Sequence, residues 1–448
     1  MNHCAAVLAL TAACAACASS AAQAVQPPAS LAGYLTTFGV DRAARSFLEE
    51  PLAWDDAKQR LALRVVTRLQ LAPAERIVEW EGESVALGQA PAGILGDRLV
   101  RVAGRAVFVA PADLPTDDPV AAAMPRAELV RLLTPDGRVV DVLASAVPRD
   151  WPRWQTIDEP AGVVGLPLTL DAGPAPRRDG AGSGWPPGPP AVLLAAGRVA
   201  WHPDTSLGRL GMDYGLFDTV ADGRPLTAAD GDAFYATLAA VGNGAAEPPT
   251  TAPAITDLID PAQRWFSRHR GDGVTVAGVC RRATRIDIDD PLRLRQLGAD
   301  RYWELFVFVD TPLLQVHDRV HDTYPVVCCV RELPSGMPTG QALNERVRVT
   351  GFGFKRYAYP LPVGADGGGE PQRLEVPLIV ARGVQWRPSA PAVRDRATPP
   401  GLLMPAGLLA TALALGGWWL WRRGHRRTPS RRSHLPDRVR LPGDGGGS

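Results

Sequence analysis

The chain has 448 residues, enough for two or three domains with cores of their own. Lys and Arg number 48 against 47 Asp and Glu, a net charge of +1, so no overall field points to nucleic acid or to an acidic partner. With 45 Gly and 43 Pro the chain is punctuated too often for long soluble helices and suits short strands joined by turns.

Residues 1–24 read as a secretory signal. An apolar run, AAVLALTAACAACA, leads to Ala22-Gln23-Ala24, the small-x-small pattern of a cleavage site. Cys17 follows Ala15-Ala16, but Cys14 stands where a lipoprotein signal wants a leucine-like residue, which favours cleavage after Ala24 over lipidation at Cys17. Residues 25–97 form a helical or mixed segment. Leu31–Glu50 and Asp55–Gln70 both space their apolar residues as helices do, the second with Leu61, Leu63, Val65, Val66 and Leu69 along one face.

Residues 98–203 read as a first β unit. Arg98–Ala110 alternates as a strand, with Gly104 as a bend or bulge. Asp117-Asp118-Pro119 reads as a turn. Glu128–Leu133 and Val139–Ala146 are two strands joined by the turn Pro135-Asp136-Gly137, and Gly162–Leu170 and Val192–Trp201 supply two more. Residues 204–272 are a helical linker. Thr227 is an N-cap with Asp230 three residues on, Phe234, Tyr235, Leu238 and Val241 follow at helical spacing, and Gly242 is the expected stop. Asp257–Arg270 reads as a further short helix. Residues 273–388 are the second β unit, with strands at Val274–Ile288, Tyr302–Asp310, Pro325–Arg331, Arg346–Tyr357 and Val376–Trp386, and with Asp289-Asp290-Pro291 as a turn.

The two units carry the same landmarks in the same order. Val102-Ala103-Gly104 recurs at Val276-Ala277-Gly278 (276 − 102 = 174), and Asp-Asp-Pro recurs at 289 − 117 = 172. A Glu-Leu pair recurs at Glu128 and Glu304, an offset of 304 − 128 = 176. Pro148 and Pro334, Pro152 and Pro338, Glu159 and Glu345, and Gly165 and Gly351 share 351 − 165 = 186, and Trp201 and Trp386 lie 386 − 201 = 185 apart. Fixed order with offsets that change only between strands is the mark of a duplicated unit. Five short strands with a bent first strand fit a small barrel of OB type, although Glu332–Asn344 leaves no room for the helix such a barrel carries between its third and fourth strands. The expected fold is therefore mainly β with helical connectors: tandem OB-like small β-barrels plus one C-terminal transmembrane helix. The V-R-V-T-G-F strand followed by VPLIVARGVQW resembles uncharacterised membrane-anchored proteins of planctomycete-type bacteria, over residues 200–390. That resemblance implies a fold and a location and brings no activity.

After a linker at 389–400, Gly401–Trp421 carries no charge; at about 1.5 Å per residue it covers roughly 30 Å, one hydrocarbon core. Trp418, Trp419 and Trp421 sit at one end, and Arg422, Arg423, Arg426 and Arg427 follow. By the positive-inside rule the basic tail 422–448, expected to be disordered, is cytoplasmic, and residues 25–400 are periplasmic or extracytoplasmic: a single-pass type I protein of the cell membrane. Ala406, Ala410 and Ala414 form a small-xxx-small stripe on which two copies would pair as a homodimer.

No catalytic constellation stands out. Ser145, Ser267 and Ser335 lack a GxSxG context, and there is no P-loop or dinucleotide fingerprint, so no cofactor is expected. His317 and His321 lie four apart without an HExxH glutamate and read as a loop rather than a metal site. Cys280, Cys328 and Cys329 are left in the body. Cys280 is placed to pair with one of the other two in an oxidising compartment, but all three read best as small buried strand side chains. Ligand-binding candidates are Lys355 and Tyr357, in a stretch that mixes them with Phe352, Phe354, Arg356 and Tyr359. Strict alternation would put Phe352, Phe354 and Arg356 on one side and Lys355 and Tyr357 on the other. An exported chain meets little nucleic acid, so the expected partner is an envelope protein or glycan. The function this supports is a binding or scaffold protein of the cell envelope, with an envelope hydrolase or transferase using an acid pair as the alternative.

Overall fold

In the computed structural model the chain divides into two compact units, Met1–Ser389 and Ala390–Ser448. The structure describes residues 28, 30–49, 55–87, 98–112, 127–169, 192–244, 253–316, 319–360 and 373–388. The leader 1–24, the apolar run 401–421, the basic tail and Asp117-Asp118-Pro119 lie outside them. Among the described residues no helix is long and apolar enough to cross a membrane.

Among the described residues the first elements are the helices α1 (Leu31–Thr36), α2 (Arg42–Glu49), α3 (Asp56–Leu71) and α4 (Ala74–Gly82). A short β1 (Val85–Ala86) pairs with β2 (Val100–Pro111), which opens the first sheet. β2 is followed by β3 (Glu128–Leu133), β4 (Val139–Ala146), β5 (Thr156–Thr169) and β6 (Val192–Trp201). The sheet runs β2-β3-β4-β6-β5 and closes because β5 pairs back on β2. The connector holds α5 (Ser206–Arg209), a 3-10 turn at Tyr214–Thr219, α6 (Ala228–Asn243), α7 (Ile255–Ile259) and α8 (Trp265–His269). The second sheet comprises β7 (Gly273–Asp287), β8 (Arg301–Val316), β9 (Arg319–Val330), β10 (Gly340–Pro360) and β11 (Arg373–Ala381), with α9 (Pro291–Leu297) between β7 and β8 and β12 (Gln385–Arg387) beside β10. It closes in the same way, in the order β7-β8-β9-β11-β10 and back to β7. In both barrels the third and fifth strands are parallel and the other neighbours antiparallel. Two closed five-stranded barrels of this order are compatible with OB-like folds, and closure leaves no free edge in either ring.

The repeated landmarks occupy equivalent places. A Cβ on Gly104 would strike the carbonyl oxygen of Leu133, and one on Gly278 that of Phe308, so the first strand of each barrel bends where its neighbour comes too close for a side chain. Gly165 and Gly351 do the same on the fourth strand, 2.8 Å from Ala195 O and 2.5 Å from Val380 O. Pro148 and Pro334 each open a turn closed by the amide three residues on, at Trp151 and Met337. Trp201 donates its indole N–H to Glu159 at 2.9 Å, and Trp386 donates to Glu345 at 2.7 Å. One landmark is out of step. Because Leu133 pairs with Arg105 and Phe308 with Val279, the offset along this strand is 308 − 133 = 175, so the Glu-Leu recurrence at 176 is one residue out of register. A one-residue slip changes faces: Leu129 packs outside its barrel against the N-terminal helices, while Leu305 points into the second barrel's interior.

Valine dominates both interiors, from Val100, Val102, Val142 and Val199 in the first to Val274, Val276, Val307 and Val349 in the second. The outer faces are covered by helices. Leu63, Val65, Val66 and Leu69 of α3 bury against the first barrel, and Phe234, Leu238 and Val241 of α6 bury against Val327, Cys329, Leu378 and Val380 on the parallel third and fifth strands of the second. Both helices have 16 residues and start 228 − 56 = 172 apart, so each barrel is preceded by its own covering helix.

Several local expectations change. Asp290 does not make a turn; its carboxylate accepts from Leu292 N at 2.8 Å and caps α9, with Pro291 preset for the first helical position. The stretch Asp257–Arg270 is broken by Pro261 into α7, a 3-10 turn and α8. The expected loop around His317 and His321 belongs to the long β8–β9 hairpin: residue 321 lies in β9, paired with Leu314, while residues 317 and 318 lie outside the described residues.

The connector is a packed joint. Asp213 accepts from Trp201 N and Gly215 N at 2.9 Å and pairs with Arg198 of the first barrel. Thr205 donates to the Tyr214 hydroxyl, which donates in turn to Gly271 O. Rings run edge to face from Trp151 through Trp201, Tyr214 and Phe217 to Phe354 on the second barrel, with neighbouring centroids 5.2–6.2 Å apart.

Candidate functional site

The strand β10 carries both ligand candidates, and a bulge decides where they point. The pairing of β10 with β11 slips between Gly353 and Lys355, so Phe352 opposes Val380, Lys355 opposes Leu378 and Tyr357 opposes Val376, all on the outer face. Phe354 is the extra residue, and it also turns outward into the same cluster. The alternation expected from sequence is therefore reset: Phe352, Phe354, Lys355 and Tyr357 share one face, and Arg356 faces away. The first barrel slips at the equivalent place, between Pro167 and Thr169.

Lys355 has no exposed surface. Its ammonium lies 3.1 Å from both carboxylate oxygens of Asp230 and 3.4 Å from Pro225 O. Asp230 is the third residue of α6, and its carboxylate also accepts from Thr227 N at 2.8 Å, which caps the helix. Burial pushes the Lys355 ammonium below its ordinary range, and the Asp230 carboxylate, by hydrogen bond and by charge, pulls it back up. Lys355 thus ties α6 to the barrel wall.

Tyr357 is half-buried and belongs to a different neighbourhood. Its ring lies nearly parallel to that of Tyr359, with centroids 6.4 Å apart, and Tyr359 meets Phe306 edge-on at 5.7 Å. The Arg282 guanidinium sits over the Phe306 ring at 3.8 Å and donates to Glu304 at 2.7 Å. Residues from the first, second and fourth strands of the barrel thus meet in one aromatic face with a paired guanidinium and carboxylate inside it. Burial raises the pKa of the Tyr357 phenol, with the Glu304 charge adding to it, and burial raises that of Tyr359, so both stay neutral donors well above neutral pH. Among the described residues neither phenol oxygen has a hydrogen-bond partner.

The same face of the first barrel is closed. With the strand offsets above, Arg282 corresponds to Phe108 and Glu304 to Leu129. Phe108 is 5% exposed and Leu129 1%, whereas the side chains of Arg282 and Glu304 are 36% and 25% exposed. Phe108 is covered by the Trp154 ring at 6.5 Å, and Trp154 takes a left-handed φ of 61° to lie there. Three residues past the shared turn, the second barrel has Gly340 instead, at φ 112°, with nothing within 4 Å of where a Cβ would stand.

No family model matches this chain, and no curated protein does either. Among solved structures, a match is found to a deletion mutant of the single-stranded DNA binding protein from Thermus aquaticus, at 9% identity over 65% of this chain and 94% of that one, with a TM-score of 0.16. At that score the likeness carries neither a fold nor a ligand to this chain.

Other sequence candidates stay apart from this face. Cys280 and Cys328 both point into the second barrel and Cys329 points out. Strand β8 separates β7 from β9, a spacing of about 9–10 Å across the sheet against the ~7 Å limit for a disulfide, and all three thiols are free. Burial pushes the Cys280 thiol up to about 11 and the Cys328 and Cys329 thiols up as well, so they act as small apolar side chains. Among the described residues no group of His, Cys, Asp or Glu could hold a metal ion. On the other side of β10, Arg356 lines a cleft of about 210 Å³ with Asp222, Asp260, Arg264 and Trp265. Its Asp222 is tied to Arg270 at 3.1 Å and to Arg356 N at 2.9 Å.

Proposed function

We propose that the protein is a binding or scaffold module of the cell envelope, held by the apolar run 401–421, that engages its ligand on the outer face of the second barrel through Tyr357, Tyr359, Phe306, Arg282 and Glu304. The observation that carries this reading is the contrast between the two copies of one unit. In the first, the face is filled by Phe108, Leu129 and Trp154. In the second, the corresponding places hold the Arg282–Glu304 pair and Gly340, which leave the rings of Phe306, Tyr357 and Tyr359 beside them only half-buried, in place of continuous apolar packing. Half-buried aromatics with converging polar groups are what a binding surface offers. The alternative of a hydrolase or transferase calls for an acid pair in one cleft; in the cleft beside Arg356 the carboxylates are Asp222, paired with Arg270, and Asp260, which accepts from Ala262 N.

The reading is tested by placing a photo-crosslinking amino acid at Tyr357 or Phe306 in the full-length chain in intact cells. Adducts at both positions, absent when the group replaces the exposed Leu133 of the first barrel, support it. Equal labelling at all three positions, or none at Tyr357 and Phe306, overturns it.

A further inference from the structure

We infer that the ligand of this face is a neutral polysaccharide strand, an inference that rests on the reading just given and specifies its chemistry. Three features carry it. The first is charge. Arg282, the cation of this face, is paired with Glu304 at 2.7 Å. A single-stranded nucleic acid is tracked by unpaired cations along a groove, and a carboxylate in the middle of the face would repel phosphates. The chain's lysines offer no help: it has only two, and Lys355 and Lys58 are both buried. The second is hydrogen-bonding supply. The Tyr357 and Tyr359 phenols donate and accept, the Arg282 guanidinium donates and the Glu304 carboxylate accepts. That mixture, with no net charge, matches hydroxyl groups, which both donate and accept. The third is shape. Tyr357 and Tyr359 hold half-buried rings 21° from parallel on alternate residues of one strand, aromatic surface of the kind against which the C–H groups of sugar rings pack, with hydroxyls reaching the polar groups beside them. The large apolar side chains most exposed among the described residues, Leu71, Val78 and Leu133, lie elsewhere, so the face has no bare apolar anchor of the kind a protein partner buries.

The experiment titrates the purified full-length chain with a soluble β-linked N-acetylglucosamine oligomer and, in parallel, with homopolymeric single-stranded DNA, at low and high salt. Saturable oligosaccharide binding that is indifferent to salt, weakened about tenfold by Tyr357→Ala and by Phe306→Ala and several-fold by Glu304→Gln, supports the inference. Retention of the wild-type unfolding midpoint shows that each variant is folded. Salt-dependent DNA binding that Tyr357→Ala abolishes and Glu304→Gln strengthens overturns the ligand class while leaving the face as the binding site. Oligosaccharide binding undiminished by Tyr357→Ala and Phe306→Ala removes the face itself, and with it the reading on which the inference rests. Failure to bind either probe overturns the inference and leaves the face to the crosslinking result.

Discussion

Trp201 and Trp386 donate to Glu159 and Glu345 across matching strands of the two barrels, so one side-chain pair was preserved twice while its surroundings diverged. A hydrogen bond to a carboxylate contributes about 1.5–3 kcal/mol net. Trp201→Phe and Trp386→Phe, which keep most of the ring, are each expected to lower stability by about 1–2 kcal/mol in urea denaturation; a change confined to one of the two would break the equivalence. The glycines behave differently. Gly104→Ala and Gly278→Ala put a methyl into a neighbouring strand's carbonyl and should each cost about 3 kcal/mol or more, whereas Gly82→Ala, at the end of α4 with open space around it, should be neutral or slightly stabilising.

At the scale of elements, the contact between α6 and β10 turns on the Lys355–Asp230 pair. Removing one member of a buried ion pair leaves the other charge uncompensated, at a cost of about 3–5 kcal/mol, while neutralising both is close to neutral. Lys355→Met alone should therefore strongly destabilise the chain, and Lys355→Met with Asp230→Asn, which retains an acceptor for the Thr227 cap, should recover most of the loss in the same assay. A non-additive recovery of this kind identifies the pair as a clamp; equal losses in single and double variants would not. The joint between the barrels has its own signature in pH. Burial pushes the Tyr214 phenol from near 10 up to about 12. Below pH 10 it is protonated in both states and its contribution is intact. Between pH 10 and 12 the unfolded chain ionises first, so stability falls as pH rises through that window. Tyr214→Phe should flatten that alkaline decline in melting temperature without abolishing it, because burial raises Tyr324 to about 12 as well.

For the whole molecule, the run of rings from Trp151 to Phe354, with Asp213 bonded to the first barrel and Tyr214 to Gly271 just before β7, joins two barrels through a packed surface rather than a tether. Residues 98–388 should unfold in one calorimetric transition, and Tyr214→Ala, which opens the middle of the joint, should separate it into two. The proposed topology makes a separate prediction. Removal of residues 401–448 should move the protein from the membrane fraction to the soluble one, and the full-length chain should resist alkaline carbonate extraction; release of the intact protein by carbonate would count against the anchor.

Composition and spacing were sufficient to mark the strands, the doubled order of landmarks, the glycines at the bends and the cap at Thr227, because each is a local preference written within a few residues. They also drew attention to β10, where Tyr357 is half-buried beside Tyr359 and Lys355 is fully buried. What they could not specify was parity. One bulged residue at Phe354 moves Lys355 across the strand, and one residue of register separates Leu129 from Leu305, so a reading by strict alternation assigns the wrong neighbours. Nor does spacing say that Lys355 meets Asp230, 125 residues away, or that Trp154 closes in one barrel the face that Gly340 leaves open in the other. Those facts depend on how closed sheets and their covering helices bring distant segments together, and only the tertiary structure decides them.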